Sequence, residues 1–344
     1  WMMKKLLNTL YVLTPDSYLF CRNENVCIRV GETERLCIPA LTIDSIVCFG
    51  KMTVSTPLLE YCGGHGISVT FVSENGHFMG RFYGPVSGNV LLRKRQYESM
   101  ANEAFCRKTV QSILLAKMRN SKLVLMRAAR TQHSEEAREH LASGVQQMSQ
   151  AVERLLLCED VDSMRGIEGA AATVYFARLD DILAGNPGGF CFAVRSRRPP
   201  RNEVNAALSF TYMLLTGQTQ SAMETVGLDP AAGYLHSLRP GRASFALDLI
   251  EELRAPLCDR FVLSLFKKGQ LSTGDFEKNE EAVLLNDRGR RTLITAWQKR
   301  KQDEIIHPFL DEKIPIGMIP YVQAMLFARV LRGDLDEYPP FVWR

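Results

Sequence analysis

The hydrophobic pattern of this chain changes once along its length, and that change constrains the fold more than any other feature. Over residues 10–83, apolar residues come in short runs separated by turn formers, a pattern typical of a small β-sheet domain. Beyond a turn-rich segment, apolar residues recur at helical spacing. The sequence therefore predicts an α+β chain of two domains: a small N-terminal β-sheet domain at 2–84, a linker at 85–92 and a larger all-α C-terminal domain at 93–344.

The pattern also places the helices. In the first domain one helix is predicted at 55–62, where Thr56-Pro57 suits a capped first turn. No internal repeat is visible, which excludes solenoid folds. In the second domain the spacing predicts helices at 93–128, 134–157, 163–184, 202–216, 244–266, 277–302 and 316–332.

Charge and cysteine usage exclude some classes of protein. Lys and Arg outnumber Asp and Glu by only 42 to 38, which is weak evidence for a polyanionic partner. No run approaches the roughly 18 apolar residues of a spanning helix, and no signal-peptide pattern is visible, so we expect a cytoplasmic protein without a membrane partner. The nine cysteines form no CxxC pair, which favours neither a zinc ribbon nor a disulfide framework.

A histidine loop leads directly into an acidic helix. His236 lies in the loop, and an apolar stripe that begins at Ala246 leaves Asp248, Glu251 and Glu252 on the opposite face of the helix. Carboxylates with one imidazole and no thiolate suit Mg²⁺ or Mn²⁺. The alternative is a solvated acidic face with an ordinary loop histidine, and the spacing does not choose between Glu251 and Glu252.

A second carboxylate, Glu168, lies within a run of small residues, where helices pack closely. Burying it without a partner would be costly, so we expect a metal or an arginine beside it. The alternative is that Glu168 pairs with Arg165 or Arg178 and only stabilises its helix.

Arginines are placed where a phosphate backbone would be held. Arg239 and Arg242 flank the histidine loop, where guanidinium groups could grip a phosphate through two hydrogen bonds. The span 182–202 contains no acid and predicts a basic patch whose DNA binding would be sensitive to salt. A solvated basic face is the alternative. The patch includes Arg195, Arg197, Arg198 and Arg201.

Four segments in order resemble the CRISPR-associated integrase family, protein one of the spacer-acquisition system, and the resemblance covers nearly the whole chain. The C-terminal segment 333–341 resembles the type I-C branch. One departure is Asn202-Glu203, where the family often has Asp-Pro, outside the metal ligands. The four segments are 165–169, 202–212, 235–242 and 247–252.

The resemblance implies a β domain for dimerisation and a helical catalytic domain that binds DNA. It implies Glu168, His236 and Glu251 as ligands of Mg²⁺ or Mn²⁺, with Asp248 ligating directly or through water. The implied reaction is transesterification, in which a 3′-hydroxyl of a captured DNA fragment attacks a phosphodiester at the CRISPR repeat; water as nucleophile would give endonuclease activity instead.

The implied assembly is a homodimer, two of which are bridged by CRISPR-associated protein two, with a processing nuclease as a further partner. Two other functions remain open from the residues: a general metal-dependent nuclease acting on branched DNA, and a DNA-binding scaffold without catalytic activity.

Overall fold

The computed structural model describes residues 9–43, 45–73, 78–84, 90–197 and 199–343. The chain forms two compact units: residues 1–88 with 298–304 and 315–318, and the remainder from residue 89. The division differs from the predicted one, because two short returning segments group with the first unit. Of the predicted linker, residues 85–89 lie outside the described ranges and residues 90–92 already belong to a helix.

The first unit contains two four-stranded sheets. The strands are β1 (Thr9–Val12), β2 (Ser17–Arg22), β3 (Asn25–Val30), β4 (Thr33–Pro39), β5 (Ser45–Phe49), β6 (Met52–Val54), β7 (Ser68–Val72) and β8 (Phe78–Phe82). One sheet has the order β1-β5-β7-β8, with β1, β5 and β7 parallel and β8 antiparallel; the other has the order β4-β3-β2-β6.

The predicted helix of this unit is α1 (Thr56–Gly64), and the hydroxyl of Ser55 accepts the Leu58 N–H at 3.3 Å to cap it. Its buried side packs into a core with residues of both sheets, such as Leu19 and Ile46. The cysteine expectation needs a correction: Cys27 and Cys37 face each other across β3 and β4, and a disulfide joins them.

The second unit is mainly helical, and none of the described helices is long and apolar enough to cross a membrane. Tyr234, Phe245 and Phe327 pack ring against ring in its core, with the last two centroids 4.6 Å apart. The helices are α2 (Val90–Met100), α3 (Glu103–Thr131), α4 (Glu135–Leu156), α5 (Val161–Phe176), α6 (Leu179–Leu183), α7 (Glu203–Val226), α8 (Ser244–Leu253), α9 (Arg260–Lys267), α10 (Asp287–Gln302) and α11 (Ile319–Arg332).

The α+β class is confirmed, but the all-α description of the second domain is wrong. Two short hairpins interrupt the helices, β9 (Phe276–Lys278) with β10 (Val283–Leu285) and β11 (Glu304–Ile306) with β12 (Lys313–Pro315). The first takes up the start of the helix predicted at 277–302.

Three other predicted helices are divided. The helix predicted at 163–184 forms α5 and α6, with a turn at Ala177 and Arg178 between them. Asn102 caps α3 and so separates it from α2. A π-helical turn at Arg254–Asp259, which contains Pro256, separates α8 from α9, because proline supplies no N–H for the regular ladder.

Candidate active site

Asp248 on α8 fixes the position of His236. One carboxylate oxygen of Asp248 accepts the backbone N–H groups of Tyr234 and Leu235 at 2.6 and 2.9 Å, and the other accepts the His236 N–H at 2.9 Å and lies 2.6 Å from its Nδ1. Since a carboxylate accepts, Nδ1 carries the proton. In a neutral imidazole with this tautomer the lone pair is on the other ring nitrogen, Nε2, which lies 4.0 Å from Glu251 Oε1.

This geometry favours a supporting role for Asp248 over the predicted direct ligation of a metal. Four protein donors already occupy its two oxygens, and the residue is fully buried. Asp248 therefore supports the histidine from behind, an arrangement that fixes the tautomer and raises the basicity of a ligating imidazole.

Gly233 allows the histidine loop to come this close to α8. A Cβ added at Gly233 would lie 2.8 Å from the Ser244 backbone carbon and 2.9 Å from Asp248 Oδ2. Any larger residue would push the loop away from the carboxylate that holds it.

Glu251, one turn after Asp248, is a buried carboxylate between two cations. Its Oε2 lies 2.5 Å from Lys117 Nζ, and its Oε1 lies 2.5 Å from Arg254 Nη1. Burial alone would raise the pKa of Glu251, but the charges of Arg254 and Lys117 outweigh burial and lower the pKa to about 2. The side chain is therefore ionised at every physiological pH.

Glu168 on α5 is held by the same lysine and by neither of the expected arginines. Its Oε1 accepts a hydrogen bond from Lys117 Nζ. Arg165 instead donates Nε and Nη2 to the carbonyl of Leu235, at 3.1 and 2.7 Å, and so ties α5 to the histidine loop. The motif around Glu168 thus supplies both a site carboxylate and a support for the loop.

Sequence reasoning missed Lys117, which joins the carboxylates of two helices. The signal that could have found it is a lysine in the buried stretch of α3, where Leu114, Ala116 and Met118 are fully or almost fully buried. A charge in such a place needs a partner.

The side chains fit a hard divalent cation by their chemistry, although their ligand atoms do not form a closed cage. Glu168, Glu251 and His236 offer two carboxylates and one imidazole, the ligand types of Mg²⁺ and Mn²⁺. Glu251 Oε2 is buried and forms no hydrogen bond of regular geometry despite its ion pair. Within the described ranges, three ligand atoms within 4.8 Å of one another occur only at Cys27, Glu34 and Cys37, whose sulfurs are bonded together.

Glu252 faces away from this cluster, although the helical spacing had grouped it with Glu251. It accepts hydrogen bonds from Gln323 Nε2 and Tyr338 OH, each at 2.7 Å, and is fully buried. Burial raises the pKa of Glu252 to about 8 in spite of these bonds. The acidic helix is buried on both sides, so its carboxylates enter two separate networks.

A cleft with an empty volume of about 520 Å³ opens beside the two carboxylates. Its lining includes Lys117, Glu168, Arg197, Tyr212, Glu251 and Arg254. Asp259, which also lines the cleft, accepts hydrogen bonds from the hydroxyls of Tyr175 and Tyr212 at 2.9 and 2.5 Å, and burial raises the pKa of Asp259 to about 6. The cleft thus carries guanidinium groups and an aromatic ring next to the candidate metal ligands.

The predicted DNA-binding arginines fall into different environments. Arg239 is exposed and Arg242 half-buried, and neither guanidinium contacts a partner among the residues described here. Arg197 is exposed on the cleft, and Arg198 lies outside the described residues. Arg195 is different, because its guanidinium is used within the protein.

Arg195 donates to Ser196 O and Asn205 Oδ1 at 2.6 and 2.7 Å and lies over the ring of Tyr212. Burial lowers the pKa of Arg195. These contacts favour a structural role for Arg195 over the predicted contact with DNA.

Comparison with curated proteins finds relatives along the whole chain. The chain is 45% identical over 343 residues to CRISPR-associated endonuclease Cas1 1 of Chlorobaculum tepidum, covering 99% of this chain and 100% of the relative. It is also 45% identical over 347 residues to CRISPR-associated endonuclease Cas1 2 of Rhodospirillum rubrum, with the same coverage. A CRISPR-associated exonuclease Cas4/endonuclease Cas1 fusion of Geobacter sulfurreducens is 33% identical over 342 residues, covering 97% of this chain and 60% of the fusion.

Solved structures share the fold. A chain of a Cas6-RT-Cas1–Cas2 complex matches with a TM-score of 0.83 at 19% identity, and the match covers 98% of this chain and 36% of that chain. A casposase bound to integration product matches with a TM-score of 0.81, also at 19% identity, and the match covers 98% of this chain and 94% of the casposase. The profile of the family described as CRISPR associated protein Cas1 matches residues 10–299. The chain therefore belongs to the Cas1 family of CRISPR-associated proteins.

Proposed function

We propose that this protein is the integrase of CRISPR adaptation, which inserts DNA fragments as new spacers by metal-dependent transesterification and also acts as an endonuclease. The observation that carries the proposal is the meeting of Glu168 and Glu251, from two helices, on one cation beside the free Nε2 of His236. Membership of the Cas1 family supports it.

Glu168, Glu251 and His236 would hold the metal, which we propose to be Mg²⁺ or Mn²⁺. When bound, the ion supplies a positive charge that activates the attacking hydroxyl and stabilises negative charge on the phosphate. Asp248 holds His236 in the tautomer that leaves Nε2 free. Arg239, Arg242 and Arg197 have guanidinium groups free to position DNA phosphates.

The proposed partners are a DNA fragment, the CRISPR repeat and leader, a second copy of this chain that dimerises through the β unit, and CRISPR-associated protein two. The matched fold in a Cas1–Cas2 complex supports the last of these. The fusion of a Cas4 exonuclease to a Cas1 relative favours a processing nuclease as a further partner. We also propose the type I-C branch, from residues 333–341, and a cytoplasmic location, where the host array is found.

A strand-joining assay tests the proposal. A labelled duplex with 3′-hydroxyl ends, a repeat-bearing plasmid, Mn²⁺ and the small partner protein are combined with wild type, His236→Ala or His133→Ala. His133 is an exposed histidine and serves as the matched control. We expect joined products from wild type and His133→Ala and none from His236→Ala, with DNA binding retained by all three.

Other outcomes separate the alternatives. Cleavage of branched DNA without joining would indicate a general nuclease in which water replaces the 3′-hydroxyl. Metal-independent binding with neither cleavage nor joining would indicate a scaffold. Equal joining by all three proteins would remove His236 from the site.

A further inference from the structure

Lys117 is the feature of the site that the proposed chemistry leaves unexplained. It projects from α3 and contacts Glu168 on α5 and Glu251 on α8 at once. Its side chain is 19% exposed and lines the cleft. Among the side chains in the described ranges, it is the cation that touches both proposed carboxylate ligands.

The other cation, Arg254, is placed differently. Of the two carboxylates Arg254 contacts only Glu251, and its guanidinium carbon lies 5.0 Å from the centroid of the Tyr212 ring. A planar guanidinium held between a carboxylate and a ring is fixed, whereas an ammonium on a four-carbon stem is compact and mobile. Of the two cations, Lys117 is therefore the one whose side chain can move away from the carboxylates.

An ammonium and a divalent ion compete for the same oxygens. Lys117 Nζ lies 2.5 Å from Glu251 Oε2 and also donates a hydrogen bond to Glu168 Oε1, so a divalent ion held by these two residues would be close to the ammonium. Like charges at that distance repel strongly away from bulk water. Without either cation, the two carboxylates would repel each other across a partly buried space.

We propose that Lys117 is the internal counter-ion of the metal-free site: it holds Glu168 and Glu251 together, and its ammonium is displaced into the cleft when a divalent ion binds. The inference rests on the proposed metal site. Lys117 then has a positioning role: it keeps the two carboxylates together in the metal-free protein, and it lowers the affinity of the site for metal.

Metal binding measured without DNA tests this exchange. Mn²⁺ is titrated into wild type, Lys117→Met, Lys117→Gln, Lys117→Arg and Lys108→Met, and free Mn²⁺ is followed by electron paramagnetic resonance. Lys108 lies on the same helix with an exposed ion pair to Glu337 at 2.8 Å, and so controls for the loss of one charge. Thermal unfolding of each protein is measured with and without Mn²⁺.

We expect Lys117→Met and Lys117→Gln to bind Mn²⁺ at least about tenfold more tightly than wild type, because they lack the competing charge. Their melting temperature without metal should fall, and Mn²⁺ should raise it by more than in wild type. Lys117→Arg keeps the charge on a guanidinium that is displaced less readily, so it should bind Mn²⁺ more weakly than wild type. Lys108→Met should bind like wild type.

Equal or weaker Mn²⁺ binding by a folded Lys117→Met or Lys117→Gln would overturn the exchange. Two variants are used because one of them could fail to fold without the ion pair. If wild type and all variants bind no Mn²⁺, the proposed metal site itself is refuted, which is a different result.

Discussion

Replacing Asp248 by asparagine tests whether the histidine loop depends on a buried carboxylate. Asp248 accepts four hydrogen bonds, three from backbone N–H groups and one from the His236 ring. The amide of Asp248→Asn keeps one accepting oxygen and turns an NH₂ group toward the other donors. The substitution therefore removes two charge-assisted bonds and leaves buried donors without an acceptor.

The magnitude follows from those two bonds. A hydrogen bond to a charged group contributes about 1.5–3 kcal/mol, so the loss is about 3–6 kcal/mol. Relief from burying a charge offsets part of it, and we expect the free energy of unfolding to fall by about 3 kcal/mol. A protein domain is typically stable by about 5–15 kcal/mol, so the variant should still fold. Loss of a partner behind a ligating histidine typically weakens metal binding by about 10–100-fold.

Urea unfolding without metal and a Mn²⁺ titration measure the two effects. Asp334→Asn is the control, because its ion pair with Arg332 is exposed to solvent and should contribute little. A destabilisation of Asp248→Asn below about 1 kcal/mol, together with unchanged Mn²⁺ affinity, would refute the reasoning.

Four further variants test other parts of the second unit. The pKa of Glu252 is raised from 4.5 to about 8, so its protonated form favours the folded state and the free energy of unfolding should fall as pH rises from 4.5 to about 8. In Glu252→Gln, urea unfolding at pH 5 and pH 8 should show a smaller fall. Arg239→Gln should weaken DNA binding in anisotropy titrations and reduce the slope of log affinity against log salt concentration by about 1. Arg195→Gln should instead lower the melting temperature and leave the affinity for DNA almost unchanged. Gly233→Ala should cost about 1–3 kcal/mol in urea unfolding, from the overlap with Ser244 and Asp248.

Local pattern predicted much of the fold. The short strands separated by turns, the cap of α1 and the change to helices near residue 90 all depend on residues that are neighbours in sequence. The hairpin at 276–285 escaped prediction because its strands are three residues long, too short for a period of two to be distinguished from a helical one.

The side chains of the candidate site could be predicted from the sequence, but the residues that surround them could not. Spacing placed Glu251 next to the histidine loop, but it grouped Asp248 and Glu252 with it, because a helical wheel does not show what packs against each face. Gln323 and Tyr338 come from distant segments and draw Glu252 away. Lys117 likewise reaches Glu168 and Glu251 only through the packing of three helices, which no local pattern records.

The bond from Arg165 to the carbonyl of Leu235 limits how sequences of this kind can vary. The guanidinium recognises a main-chain oxygen, so the bond does not depend on which side chain stands at position 235. Substitutions at 235 are limited only by its apolar packing, whereas at 165 only a side chain with the reach and two parallel donors of arginine serves. A random mutagenesis screen for lost activity should therefore recover many substitutions of Arg165, although it is not one of the proposed ligands, and few conservative ones of Leu235.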